Sequence, residues 1–318
     1  MPGMTDEEFA AAWEESKGSP SAMKRLTGIS ERQVYRRRSK LSAKGVRLPT
    51  IEAYGNTNAE SIWQDEGWSY KRENRLDMPD GHIVIFSDAH WWPNQDMTPA
   101  HAAMLEIIQE LKPRAIVANG DIFDGARVSR HAPIGWAKTP TVKEELDICQ
   151  EHMHEIVMTA PKGCKLYWNV GNHDQRFDKA MVNNSPEYAG VVPRLEEVFS
   201  QWSFAWSLMV NKNTMIKHRY NNGIHATYNN TMKSGVNIVT GHLHRLAVTP
   251  WADYGGRRWG VDTGTLSNPH GPQFEYGENN PTPHTSGFAV LTYRDGLLLP
   301  PELCEVLDGV AYFRGKEV

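Results

Sequence analysis

His82-Ile83-Val84-Ile85-Phe86-Ser87-Asp88-Ala89-His90 is an apolar run that ends on a carboxylate and an imidazole. Ile83 to Phe86 are strand formers, so the run predicts a buried strand from His82 to Ser87 with Asp88 and His90 at its C-terminal end. The rhythm then repeats. Thr98-Pro99 opens a helix to Leu111, and Arg114 to Asn119 is a second strand. A helix around Val142 to Met158, a strand Lys165 to Val170 and helices between Asp174 and Phe199 continue the pattern. Strands are expected at Ser207 to Val210, Thr214 to His218 and Val236 to Thr240, and in a strand-rich tail spanning Arg257 to Thr263 and Gly287 to Val306. Alternating strands and helices predict a layered α/β domain around a large mixed sheet.

Four short motifs fall where predicted strands end: Asp88-Ala89-His90, Gly120-Asp121-Ile122-Phe123-Asp124, Gly171-Asn172-His173-Asp174 and Gly241-His242-Leu243-His244. Sites in α/β folds gather at strand ends. Carboxylate, imidazole and amide groups converging there form a mixed oxygen and nitrogen donor set, suited to manganese, iron or zinc more than to calcium or magnesium. The set is too rich for one ion.

These motifs, in this order, resemble the calcineurin-like metallophosphoesterase superfamily over roughly residues 82 to 250. The resemblance implies a metallophosphoesterase fold: central mixed β-sheets, a β-sandwich, flanked by helices. It further implies two divalent ions, manganese in the first place, with iron or zinc as alternatives. One would be held by Asp88, His90, Asp121 and His244, the other by Asp121, Asn172, His242 and an isolated histidine. His218, closing the strand from Thr214, is the favoured isolated ligand; His225, at the start of the next helix, is the alternative. Paired metals acidify a bridging water and steady the phosphoryl oxygens during in-line displacement. By the same resemblance His173 is the general acid and Asp124 the carboxylate that orients it.

Arg127, Arg130 and His131 follow the second motif and are candidate phosphate contacts. Gly125 stands where the serine/threonine protein phosphatases of the superfamily carry a phosphate-binding arginine, and GNHD replaces their GNHE. Both features point away from that branch. The stretch Asp121 to Phe123, with GNHD and GHxH, is closer to the repair nucleases. His82, His101, His131, His152, His154, His270 and His284 fit no ligand pattern and are read as structural or surface residues, while Trp91, Trp92 and Trp136 either line the cleft or pack in the core.

The N-terminal segment has another character. Between Lys17 and Arg47 lie ten basic residues and one acid, Glu31. Asp6 to Ser16 reads as a helix with Phe9 and Trp13 on one face, and Ser21 to Leu26 as a second. After the turn Gly28-Ile29-Ser30, Ser30 caps a third helix, Glu31 to Leu41, with Val34 and Leu41 facing inward. The arrangement resembles DNA-binding helix-turn-helix domains, which implies base or phosphate contacts from Arg32, Gln33, Tyr35, Arg36 and Arg37. The expected organisation is a helix-turn-helix-like domain at residues 1–48, a linker at 49–80 and the metallophosphoesterase domain at 81–318.

A net charge of −4, 40% hydrophobic and 23% charged residues describe an ordinary globular chain. The three scattered cysteines form no disulfide framework or CxxC cluster. With neither a signal peptide pattern nor a membrane-length apolar run, a cytoplasmic location is expected and a membrane partner is not. The leading expectation is a DNA-binding, phage-like nuclease. The alternatives are a phosphatase or nucleotide phosphodiesterase that docks on DNA, and a DNA-binding regulator with a non-catalytic metal domain.

Overall fold

The computed structural model describes residues 4–16, 20–44, 46, 48, 69–131, 138–188 and 190–318. The chain divides into two compact units, Met1–Gly67 and Trp68–Val318. Among the described residues no helix is long and apolar enough to cross a membrane.

In the first unit, α1 (Asp6–Glu15), α2 (Pro20–Thr27) and α3 (Glu31–Ala43) surround Phe9, Trp13, Met23, Val34 and Leu41, all essentially buried. Each such side chain contributes roughly 1.5–3 kcal/mol by leaving water. Thr5 and Glu8 form a capping box at the start of α1. Ser30 and Gln33 reciprocate in the same way at α3: Gln33 Oε1 accepts from the Ser30 N–H at 2.9 Å, and Ser30 Oγ accepts from the Gln33 N–H at 3.4 Å.

The second unit runs β1 (Asn74–Leu76), β2 (Gly81–Phe86), α4 (Pro99–Leu111), β3 (Ala115–Ala118), α5 (Val142–Thr159), β4 (Lys165–Asn169), α6 (Asp174–Asn184) and α7 (Leu195–Val198). It continues with β5 (Ser203–Ala205), β6 (Leu208–Val210), β7 (Thr214–Ile216), α8 (Ala226–Ser234), β8 (Asn237–Thr240), β9 (Leu246–Asp253) and β10 (Gly256–Thr263). The tail is β11 (Gly287–Arg294), β12 (Leu297–Leu298), β13 (Glu302–Leu307), β14 (Val310–Phe313) and β15 (Lys316–Glu317). Among the described residues these strands form two mixed sheets. One has the order β1-β6-β7-β8-β10-β9; the other runs β15-β14-β13-β11-β2-β3-β4-β5, with β12 on β11.

The opening strand shows why the layers stack. Ile83 and Ile85 on one face of β2 join Val117, Ile216, Val239 and Val261 in an apolar layer shared by both sheets. Val84 and Phe86, on the other face, pack with Met104 and Ile108 of α4 and Met153 and Ile156 of α5. A strand buried on both faces reads as a continuous apolar run, which is what His82 to Phe86 is.

Two details add to the sequence reading. Residues 69–80, assigned to the linker, belong to the second unit. There β1 pairs in parallel with β6, and Tyr70 is buried against Phe204 and Trp206. The rest of that linker, 49–68, lies outside the described residues, as does Trp136. The tail also holds an eight-residue hairpin partner, β9, antiparallel to β10, that the sequence reading did not place.

Candidate metal centre

Asp88 and His90 follow β2, Asp121 follows β3, and Asn172 and His173 follow β4, three strands paired in parallel. His218 follows β7, and His242 and His244 follow β8, which pairs with β7 in parallel in the other sheet. The site therefore forms where the ends of both sheets meet. Two groups result, Asp88 with His90 and His244, and Asp121 with His218 and His242.

Within them, His244 Nε2 lies 3.1 Å from Asp88 Oδ1, and His218 Nε2 lies 3.0 Å from Asp121 Oδ2. Nδ1 of His218 sits 2.7 Å from the carbonyl oxygen of Asn119; a proton on Nδ1, donated to that carbonyl, leaves the Nε2 lone pair for a cation. His218 is buried, whereas His225 is exposed at the start of α8. The glycines of the motifs make room. A Cβ on Gly120 would stand 2.6 Å from the His218 ring, and one on Gly171 would stand 2.1 Å from Asp121 Oδ1.

Asp88, His90, Asp121, His242 and His244 all adopt positive φ, between 40° and 76°. For residues with a Cβ this costs on the order of 1–3 kcal/mol each, and such strain persists where surrounding structure imposes it at a site. Buried polar atoms point the same way. Among the described residues, buried His90 Nε2 and Asn172 Oδ1 have no hydrogen-bond partner, while Asp88 Oδ1 and His218 Nε2 meet only other members of the group. An unpartnered buried acceptor is costly, and a divalent cation would satisfy these donor atoms together, so the residues present fit a metal pair.

Electrostatics agree. Burial alone would raise the Asp88 carboxyl, but His244 and His218 reverse this and hold it at about 2. Asp121 is likewise held low, by His218 and His173 against burial. Burial opposes protonation of His218, yet Asp121 and Asp88 lift it to about 9. Without a cation, this imidazolium balances the two carboxylates. His242, lowered to about 4 by burial and by His218, stays neutral.

Asp124 joins two histidines, its Oδ1 lying 2.8 Å from His90 Nδ1 and 3.1 Å from His173 Nδ1. Burial pulls the His173 imidazole towards neutrality, but Asp121 and Asp124 outweigh it and raise its pKa. Arg176, unmarked in the sequence reading, completes the group. It donates to the Asp124 carbonyl oxygen at 2.9 Å and lies 3.1 Å from His173 Nε2. A cleft of about 400 Å³ opens onto His90, Asp121, His173, His242 and His244, with Phe274, Tyr276 and His284 opposite.

Arg127, Arg130 and His131 are not among its lining residues. Arg127 donates to the Thr139 carbonyl oxygen at 3.1 Å, and Arg130 lies 3.4 Å from the neighbouring His131 ring. Of the N-terminal candidates, Arg36 and Gln33 are exposed. Arg37 is turned to α1, where it bonds the Met4 carbonyl oxygen, pairs with Asp6 at 3.2 Å and covers the Phe9 ring. Side chains of Arg32 and Tyr35 lie outside the described residues.

The chain is 26% identical to the Gene 54 protein of Mycobacterium phage L5 over 258 residues, covering 71% of this chain and 94% of that protein. It is 25% identical to the Gene 54 protein of Mycobacterium phage D29 over 260 residues, with the same coverage of 71% and 94%. Among solved structures, a Vps29 single mutant from Entamoeba histolytica aligns at 11% identity and a TM-score of 0.40, covering 74% of this chain and 99% of that one. The family model for calcineurin-like phosphoesterases matches residues 81–246, the span that opens on β2 and closes just past His244. With its motif residues gathered at the ends of two stacked sheets, the chain belongs to the calcineurin-like phosphoesterase family.

Proposed function

We propose that the chain is a metal-dependent phosphodiesterase that cleaves nucleic acid, with the N-terminal three-helix unit as a helix-turn-helix-type DNA-binding module. The observation that carries the chemistry is the pair of carboxylate and imidazole groups, Asp88/His90/His244 and Asp121/His218/His242, beside His173. Asp121 would be shared between two ions, with Asn172 completing the second set; the mixed donors suit Mn²⁺, and also iron or Zn²⁺. When bound, such a pair supplies Lewis acidity and an activated water.

The chain's own groups supply the rest. A proton on His173 Nδ1, donated to Asp124, leaves Nε2 to deliver a second proton to the leaving oxygen. Asp121 Oδ2, 4.0 Å from that Nε2, and Asp124 favour the protonated ring. Asp124 orients His90 and His173 together, so ligand and acid share one positioning residue. Arg176 Nη2, 3.1 Å from Nε2, can only donate, so the guanidinium would turn to a phosphoryl oxygen when Nε2 carries the acid proton.

The basic N-terminal segment supports a polyanionic substrate. Ten basic residues against one acid create a surface that releases counterions on binding a phosphate backbone, and tethering raises the substrate's local concentration at the cleft. The test is hydrolysis of single- and double-stranded DNA, bis-p-nitrophenyl phosphate and p-nitrophenyl phosphate, with Mn²⁺ and with chelator. DNA and the diester should be cleaved, and chelation should stop both. Turnover of the monoester alone would replace this reading with a phosphatase, and no turnover of any would leave a non-catalytic regulator.

A further inference from the structure

Behind the cleft, α4 and α5 bring together three side chains that the phosphoesterase chemistry does not use. One ring nitrogen each from His101 and His152 and a carboxylate oxygen of Glu155 all lie within 4.8 Å of one another. His152 and Glu155 are three apart on α5, so they share a helix face, and His152 Nδ1 is 3.0 Å from Glu155 Oε2. His101 enters from α4, its ring centroid 4.8 Å from that of His152.

We propose that His101, His152 and Glu155 form a third, mononuclear metal site for a borderline transition ion of the Zn²⁺ class. His101 is fully buried, yet among the described residues neither of its ring nitrogens has a hydrogen-bond partner. A buried imidazole always presents a polar nitrogen at each position, and leaving one unmet costs about 1–3 kcal/mol. A bound cation removes that cost at one nitrogen.

The chemistry of the set fits. Two imidazoles and one carboxylate are the three-ligand set of open zinc sites, with water in the fourth position. Ligand atoms around a tetrahedral ion stand about 3.3–3.6 Å apart, from bond lengths of about 2.0–2.2 Å. The three ligand atoms already lie within 4.8 Å of one another, so binding would draw them together by about 1–1.5 Å at most. Solvent access exists, because His152 and Trp91 line a cavity of about 1030 Å³. Trp91 packs against both imidazoles, at 5.4 and 4.9 Å between centroids, and directly follows His90 in the chain. An ion here would tie α4 to α5 and fix the indole beside that ligand.

The experiment is zinc titration of the metal-stripped full chain, with bound zinc measured at buffered free zinc. The background variant Asp121→Asn with His244→Ala cripples the paired centre and should still hold one tight equivalent. Adding Glu155→Gln, or separately His101→Phe, should weaken that equivalent at least tenfold, and Co²⁺ in its place should lose its visible absorption. The proposal is overturned if the background variant holds no tight zinc, or if it binds zinc equally well with and without Glu155→Gln. Should His101→Phe fail to fold by circular dichroism, the partly exposed Glu155 position decides the matter. Loss of nuclease activity plays no part in this readout.

Discussion

The carboxylate of Asp174 holds the backbone of Asp121: its Oδ2 accepts the Asp121 N–H at 3.0 Å. The same oxygen accepts from the Gly171 N–H at 2.8 Å and Trp168 Nε1 at 3.0 Å. Oδ1 takes the N–H groups of Ile122 and Phe123, at 3.0 and 3.2 Å. One side chain thus ties the second motif to the third. Asp174→Ala would leave these buried donors unmet at about 1–3 kcal/mol apiece, not fully additive. A loss of at least about 3 kcal/mol is expected, roughly 6–12 °C in Tm, with reduced metal content although no ligand is changed. Thermal melts and metal analysis check this, and a variant with unaltered Tm and metal would refute the anchoring role.

Asp121 itself accepts the His173 N–H at 2.8 Å through Oδ1 and faces His218 Nε2 through Oδ2. Asp121→Asn should empty at least one position of the paired centre and lower turnover by 10² or more, on the order of losing a positioned charge. His218→Ala should share the metal loss, while His225→Ala, an exposed substitution, should retain full content. Equal metal loss in both histidine variants would reopen the choice between them.

His173→Ala should keep the metals and slow cleavage of an alkyl phosphodiester by roughly 10²–10⁴, the range for a general acid. An ester with a good leaving group needs less protonation and should be slowed much less. Asp124→Asn should behave differently, because Asp124 contacts His90 as well. Its signature is loss of rate together with weaker metal binding, read from activity at increasing Mn²⁺. A uniform loss on both esters for His173→Ala would assign the ring to substrate binding.

Glu145 provides a pH test independent of the metal ligands. Its buried carboxylate accepts the N–H groups of Gly125 and Ala126, at 2.6 and 3.1 Å. Burial, then the charge of Asp124, raises its pKa from 4.5 to about 8. The folded state therefore holds a proton that the unfolded chain releases above pH 4.5. This contribution is full below that value and is lost as pH rises through about 8. Glu145→Gln removes the titration, so the Tm difference between variant and wild type should move in the variant's favour from pH 5 to pH 8. Melts of the metal-free protein at both pH values measure it, and a constant difference would show that Glu145 is already ionised in the fold.

What the sequence made legible follows from these particulars. The motif residues could be read because each motif follows a short apolar strand and three of the four open on a glycine, as with Gly120 and Gly171, whose missing Cβ admits a ligand. β1 was not legible: Asn74-Arg75-Leu76 is three residues long, half polar in appearance, and is a strand only because it meets β6 more than a hundred residues later. Arg127 was proposed from proximity along the chain, yet the backbone carries it to Thr139, while Arg176 reaches His173 from one turn into α6. Asp174 looked like a family variation at the fourth position of GNHD; only the fold shows the donors it collects. His101 and His152 lie on separate helices, and no spacing rule joins them.

The basic residues of α3 divide in the same way, and this makes the nucleic-acid proposal testable residue by residue. Arg37 pairs with Asp6 and covers Phe9, and Arg38 covers Trp13, so these two cations serve the packing of α3 on α1. Arg36 and Lys40 are exposed and four apart, on one face of the helix. In the full chain, Arg36→Ala with Lys40→Ala should weaken DNA binding several-fold at low salt and reduce the slope of log affinity against log salt by about 1–2, one unit or slightly less per lost phosphate contact. Its Tm and its turnover of bis-p-nitrophenyl phosphate should match wild type, since both side chains are exposed and neither belongs to the unit that holds the metal-ligand motifs. Arg37→Ala should instead lower the stability of the three-helix unit, because the Met4 carbonyl oxygen and the Phe9 face lose their partner and Asp6 keeps only Lys44. Binding isotherms at several salt concentrations separate the two behaviours. If the exposed pair leaves DNA affinity and salt slope unchanged, α3 does not meet the phosphate backbone, and the N-terminal unit would have to act as a protein-docking module instead.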